Sequence, residues 1–155
     1  MCKGVLCDTN FFIHLLAEKS HRGEKALFVF EFLKENGFEV FISSIAIAEF
    51  CLKSNFQELP LKYLTVLHFT SNHAQKTACF GNLILEHRKV KKQLPLQNLI
   101  IDDTKMFAQA DCEPNIKYFL TFDLESKKIY DVIKPNFQFV GIDSNFEISD
   151  FFLII

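Results

Sequence analysis

Apolar positions along this chain alternate between two spacings. Short unbroken apolar runs, the mark of strands buried on both faces, give way to stretches in which apolar residues recur every three or four positions, the mark of helices. Residues 4–8 read as a buried strand. Phe11, Phe12, Leu15 and Leu16 then recur at helical spacing over 10–19, and Ala26, Leu27, Phe30 and Leu33 repeat the pattern in a second helix ending near Gly37. Residues 38–42 form the next strand, Ser43-Ser44 opens a third helix to about Lys53, and a turn at Leu59-Pro60 precedes a strand over 63–69. A fourth helix starts at Ser71 or Asn72 and ends in a basic run, Pro95 breaks the chain, and a fifth helix covers 97–111. A strand at 118–121, a helical or turn region over 124–134 and a last strand over 137–142 complete the series. Five short apolar strands, each separated from the next by helix, predict an α/β fold: a parallel sheet covered on both faces.

Composition bounds this picture. A chain of 155 residues with 49% hydrophobic content is long enough for one domain, 1–155, with a substantial core, and 19 Phe against no Trp predict a core rich in aromatic rings. A net charge of −2 announces no general affinity for nucleic acid, so any such role rests on a local patch. Five cysteines without a C-x-x-C pair and five histidines without zinc spacing read as reduced core thiols and scattered imidazoles of a cytoplasmic protein. Met1-Cys2-Lys3 leads into an apolar stretch broken at once by Asp8, so we expect no signal peptide, and no run approaches the ~18 apolar residues that span a bilayer.

The acids carry the chemistry. In parallel sheets ligands bind beyond the carboxyl ends of the strands, and two acids fall there: Asp8 after the first strand and Asp123 after the fourth. Glu49 is the one polar residue in Ile45-Ala46-Ile47-Ala48-Glu49-Phe50-Cys51-Leu52, where an unpaired carboxylate costs several kcal/mol. Asp103 lies near the start of the fifth helix. Taken singly, each has a structural explanation as a cap, a turn residue or an ion-pair member. Taken together, four carboxylates at one edge repel each other unless a cation sits among them, and oxygen-only ligands suit Mg²⁺ or Mn²⁺.

The segments around these acids resemble those of a known family. Val5-Leu6-Cys7-Asp8-Thr9-Asn10-Phe11-Phe12-Ile13 resembles the opening motif of PIN-domain ribonucleases. Ile42-Ser43-Ser44-Ile45-Ala46-Ile47-Ala48-Glu49-Phe50 is similar to the second motif, Asp103-Thr104-Lys105-Met106-Phe107-Ala108-Gln109-Ala110 to the third, and Leu120-Thr121-Phe122-Asp123 to the fourth. The resemblance implies a five-stranded parallel sheet in the order 3-2-1-4-5 and cleavage of RNA by a water that Mg²⁺ or Mn²⁺ activates. It assigns Asp8, Glu49, Asp103 and Asp123 as metal-binding acids, with Asn10 and Thr121 as supporting polar residues. It also implies a VapC-type toxin, homodimeric and held by a small antitoxin. Lys105 and Phe107 depart from the small or aliphatic residues usual beside the third acid.

Two other functions remain open from sequence: a non-catalytic PIN-like module that binds RNA or protein, and another Mg²⁺-dependent phosphate-ester hydrolase. Apolar side chains on the early helices, including Phe11, Phe12 and Phe28, exceed the needs of one small core and point to a homodimer. Arg88, Lys91 and Lys92 in the basic run are candidates for contact with RNA phosphates, although cations there also complement the helix dipole. At roughly 100° per residue, Asp103 falls in the middle of the helix face turned to the sheet, while Asp102 points away, beside Lys105 and Gln109, toward solvent.

Overall fold

The computed structural model describes residues 3–17, 19–91, 102–147 and 149. Its strands are β1 (Gly4–Cys7), β2 (Glu39–Ser43), β3 (Leu64–Leu67), β4 (Ile116–Thr121) and β5 (Gln138–Gly141). Its helices are α1 (Thr9–Leu15), α2 (His21–Glu35), α3 (Ser44–Phe50), α4 (Ser71–Lys91), α5 (Asp102–Cys112) and α6 (Lys127–Ile133), with short 3₁₀ turns at Phe56–Glu58, Leu61–Tyr63 and Leu124–Ser126. The strands make one parallel sheet in the order β3-β2-β1-β4-β5, flanked by the helices. The switch in strand order, on either side of β1, is where such sheets open a crevice.

The sheet puts its most apolar strand in the middle. Val5, Leu6 and Cys7 of β1 are fully buried, with Leu6 level with Phe41 of β2 and with Phe119 of β4. Aromatic rings fill one side of this core. Phe107 of α5 meets Phe119 edge-on at 4.7 Å between centroids and packs against Phe137 at 5.6 Å, and each such pair adds about 0.5–1.5 kcal/mol beyond its buried area.

The register aligns the strand ends. Cys7 lies level with Ile42 and Leu120, Ser43 with Leu67, and Thr121 with Gly141. The residues that follow these positions therefore gather on one edge. Capping side chains turn the chain there: Asp8 accepts the Thr9 N–H, and Ser43 Oγ accepts the Ile45 N–H at 3.0 Å. Helix α2 starts on Ser20, whose Oγ accepts the Gly23 N–H, and ends before Gly37, whose φ of 71° suits a residue without Cβ.

Three expectations need correction. Phe11 and Phe12 are completely buried beneath α1, which packs against α2, α3 and β4, so they are core residues and give no support to a dimer; Phe28 of α2 is 61% exposed. Among the described cysteines only Cys7 is a core thiol, since Cys51 and Cys79 are exposed and Cys112 is half-buried. Gln109 is fully buried, because α5 is covered by α3 and α4 as well as by the sheet and has no broad solvent face. Its amide donates to the Leu67 carbonyl at 3.0 Å and its oxygen accepts from Ser43 Oγ at 2.5 Å, tying α5 to the ends of β2 and β3. No helix among the described residues is long and apolar enough to cross a membrane.

Candidate active site

A single hydroxyl organises the centre of the carboxyl edge. Thr121, the last residue of β4 and fully buried, donates its hydroxyl to Asp8 Oδ2 at 2.7 Å and accepts the Asp123 N–H at 2.9 Å. Asn10 braces the same point from α1. Its Oδ1 accepts the Phe122 N–H at 3.0 Å, and its Nδ2 reaches Thr121 Oγ1 at 3.3 Å. Asp8 is 4% exposed and takes the Thr9 N–H on Oδ1 at 2.6 Å, so it caps α1 and faces Thr121 at once. The sequence expectation that Asn10 and Thr121 support the acids corresponds to these contacts.

Glu49 enters from α3, six residues beyond the Ser43 cap, and is half-buried. One of its carboxylate oxygens accepts the Thr9 hydroxyl, and the Asp102 carboxyl lies within hydrogen-bonding reach of Glu49. Asp103 approaches from the first turn of α5, and Asp123 caps the 3₁₀ turn after β4 by accepting the Glu125 N–H at 2.9 Å. The four sequence-predicted acids are thus gathered at one edge. Asp102, its side chain 40% exposed as the helix phase places it, adds a fifth carboxyl beside Glu49 at the rim. Lys105 pairs with Asp102 at 2.7 Å and stands three residues along the same helix, so both side chains lean over the rim of the cluster.

The charges in this crevice are mutually hostile. Burial, followed by the charges of Asp8, Asp123, Glu49 and Asp102, pushes the Asp103 carboxyl up to about 7. Burial also raises Asp8, an effect opposed by the hydrogen bonds from Thr121 and Thr9 and reinforced by Asp123. Glu49 is raised by burial, whereas the hydrogen bond from the Lys105 ammonium lowers Asp102. Lys105 is the one cation among the described residues in an ion pair with any member of the cluster.

The donor set tests which ion fits. All the candidate ligands are carboxylate oxygens, which favours a hard cation over zinc or copper. Among the described residues, no group of three or more His, Cys, Asp or Glu side chains is drawn tightly enough to cage an ion directly. Mg²⁺ fits this looser ring, because it keeps several waters and takes only one or two carboxylates directly. Mn²⁺ shares the same preference for oxygen ligands.

The basic run is less complete. Arg88 is half-buried on α4, with its Nε enclosed and without a hydrogen-bond partner among the described residues, while the Lys91 side chain and Lys92 lie outside them. Sequence reasoning misplaced Gln109 because it assumed a helix with one wet face, while the partly exposed Asp102 and its pairing with Lys105 at i+3 are what the helix phase gives. The signal available was the apolar density of Met106, Phe107, Ala108 and Ala110 around Gln109, too high for a surface helix.

No protein-family model and no curated protein sequence matches the chain. Among solved structures, the fold is similar to a chain of VapBC2 from Rickettsia felis, determined bound to a DNA fragment from the promoter. The match has a TM-score of 0.62 and 21% identity and covers 90% of this chain and 99% of the other. At that identity the likeness establishes a shared fold.

Proposed function

We propose that the protein is an Mg²⁺- or Mn²⁺-dependent endoribonuclease of the PIN type. The observation that carries this reading is the convergence of Asp8, Glu49, Asp103 and Asp123, from four separate elements, on one crevice that holds no countercharge at its centre among the described residues. A fold held together by burial does not bring four carboxylates together without a use for a cation. When bound, the divalent ion supplies Lewis acidity, making a water acidic enough to attack a phosphodiester at neutral pH and offsetting charge on the phosphate.

The chain's own residues do the positioning. Asp8, Glu49, Asp103 and Asp123 would hold the ion. Thr121 and Asn10 fix Asp8 relative to the backbone of Phe122 and Asp123, and Thr9 fixes Glu49. Asp102 stands within hydrogen-bonding reach of Glu49 and is itself held by Lys105. Such outer contacts typically change metal affinity or activity 10- to 100-fold when removed.

The biological role that fits this activity is the toxin of a toxin–antitoxin pair, acting as a homodimer and held by a small antitoxin. Supporting this are the four motifs and the fold shared with VapBC2. Leu27 and Phe28, exposed side by side on α2, are an apolar surface available to a protein partner. The test is cleavage of single-stranded or loop RNA by purified protein. We expect activity with Mg²⁺ or Mn²⁺ and none in excess EDTA; equal cleavage in EDTA would refute the metal mechanism.

A further inference from the structure

A second concavity, of about 250 Å³, opens beside the acidic crevice, between the first turn of α2 and the ends of β4 and β5. His21, Arg22 and Lys25 line it on one side, and Phe122, Leu124 and Asp143 on the other. It shares its wall with the candidate active site. Phe122 is bonded through its N–H to Asn10 and precedes Asp123, whose Cα is about 3.8 Å farther along the chain.

The three basic side chains have different roles. Lys25 is committed to structure: its ammonium donates to the carbonyls of Asp143, Ser144 and Phe146 at 3.1, 2.7 and 3.0 Å and so holds the loop after β5 against α2. Arg22 and His21 are exposed and form no ion pair among the described residues. Their position is fixed from behind. A Cβ on Gly23 would lie 2.3 Å from the Ala17 carbonyl oxygen and 3.0 Å from that of His14, so the start of α2 is pressed onto the end of α1. That contact sets Arg22 near His14, whose ring stands edge-on to Phe122 at 4.7 Å.

The balance of charge favours an anion. Asp143 contributes one negative charge, and its carboxylate is engaged by the Asn145 N–H at 2.8 Å. Arg22 and Lys25 contribute two positive charges, leaving one in excess with His21 neutral. Phe122 and Leu124 add an apolar wall suited to a sugar or base face. A single cleft with a guanidinium unpaired among the described residues, an aromatic wall and a shared border with the proposed cleavage site fits the neighbouring nucleotide of the same strand.

We propose that this cleft binds the backbone phosphate and sugar of the RNA nucleotide adjacent to the one cleaved, with Arg22 as the principal phosphate contact and His21 as its neighbour. This inference rests on the ribonuclease reading for its choice of ligand. It is nevertheless tested without cleavage.

The probe is a short, fluorescently labelled single-stranded oligoribonucleotide, titrated with full-length protein in EDTA at several salt concentrations. Arg22 is exposed, so Arg22→Gln should fold normally, which circular dichroism verifies. Lys117→Gln, near the amino end of β4, is the control for general charge. We expect Arg22→Gln to weaken binding about fivefold and to lower the salt slope by about 0.7, the value for one phosphate contact on a single strand, and Lys117→Gln to change neither. In the cleavage assay Arg22→Gln should raise KM about fivefold at unchanged kcat, as expected of a contact that positions the strand. Wild-type affinity and slope for Arg22→Gln, or equal losses for Lys117→Gln, would overturn the proposal. A wild-type protein that binds the oligonucleotide through Arg22 but does not cut would sink the ribonuclease reading and leave the cleft standing.

Discussion

Helix α5 carries an enclosed carboxylate in its last turn and a half-buried one in its first, and the two are treated in opposite ways. At the far end, Asp111 has a side chain 2% exposed and is answered in full: Lys76 of α4 pairs with it at 2.7 Å and the Asn136 N–H donates to it at 2.6 Å. At the near end, Asp103 has no cation paired with it among the described residues and faces four other acids. The helix dipole does not explain the contrast. It favours an acid in the first turn and disfavours one in the last, but each effect is worth only about 0.3–1 kcal/mol near the surface. The chain can supply an internal countercharge where the fold alone is at stake. The absence of one beside Asp103 among the described residues is the contrast that the proposed metal site would account for.

The largest expected effect comes from neutralising the uncompensated end. Asp103→Asn should lower RNA cleavage by orders of magnitude while the metal-free protein keeps or gains thermal stability, since a repelled carboxylate is removed. Neutralising the compensated end should do the reverse. Lys76→Met preserves the stem that packs on Phe80 but strands Asp111. We expect it to destabilise the fold by about 2–3 kcal/mol, less than the ~3–5 kcal/mol of a fully buried pair because Lys76 is partly exposed. Cleavage per folded molecule should be unchanged. Denaturant melts and cleavage rates on both variants separate the two ends.

Acid titration sharpens the same contrast. The folded Asp103 carboxyl is raised from 3.8 to about 7, so between those values the folded chain retains a proton that the unfolded chain has lost. Stability of the metal-free protein should therefore fall as pH rises from about 4 to about 7 and level off above. Thermal melts in EDTA should show this slope in the wild type and a flatter one in Asp103→Asn; identical slopes would contradict the assignment. The smallest effect belongs to Asp102. Its contact with Glu49 makes Asp102→Asn a loss of about 10-fold in cleavage, at the low end for residues that orient a ligand.

Much of this was legible in the sequence because burial on both faces leaves a plain trace. Unbroken apolar runs such as Val5-Leu6-Cys7 and Phe119-Leu120 identify central strands, and an acid placed at the end of one stands out against them. The same logic picked out Glu49. What it could not supply was the surroundings of α5. A helix covered on several sides has no single apolar stripe, so phase arguments assign some buried positions, Gln109 among them, to solvent. Phe11 and Phe12 failed in the other direction: two adjacent rings on a short helix suggest surplus, yet α2, α3 and β4 cover both. Lys25 illustrates a third limit. Its three acceptors are backbone carbonyls about 120 residues away, and backbone acceptors leave no pattern in a sequence.

The most direct test is binding of Mn²⁺ at neutral pH, followed by the loss of the free-ion electron paramagnetic resonance signal, in the wild type, Asp103→Asn and Lys76→Met. The wild type and Lys76→Met should take up the ion in the folded state with similar affinity, and Asp103→Asn should bind it at least about 10-fold more weakly. Equal uptake by the wild type and Asp103→Asn, or none by the wild type, would mean that the crowded carboxylates of the sheet edge do not constitute a metal site.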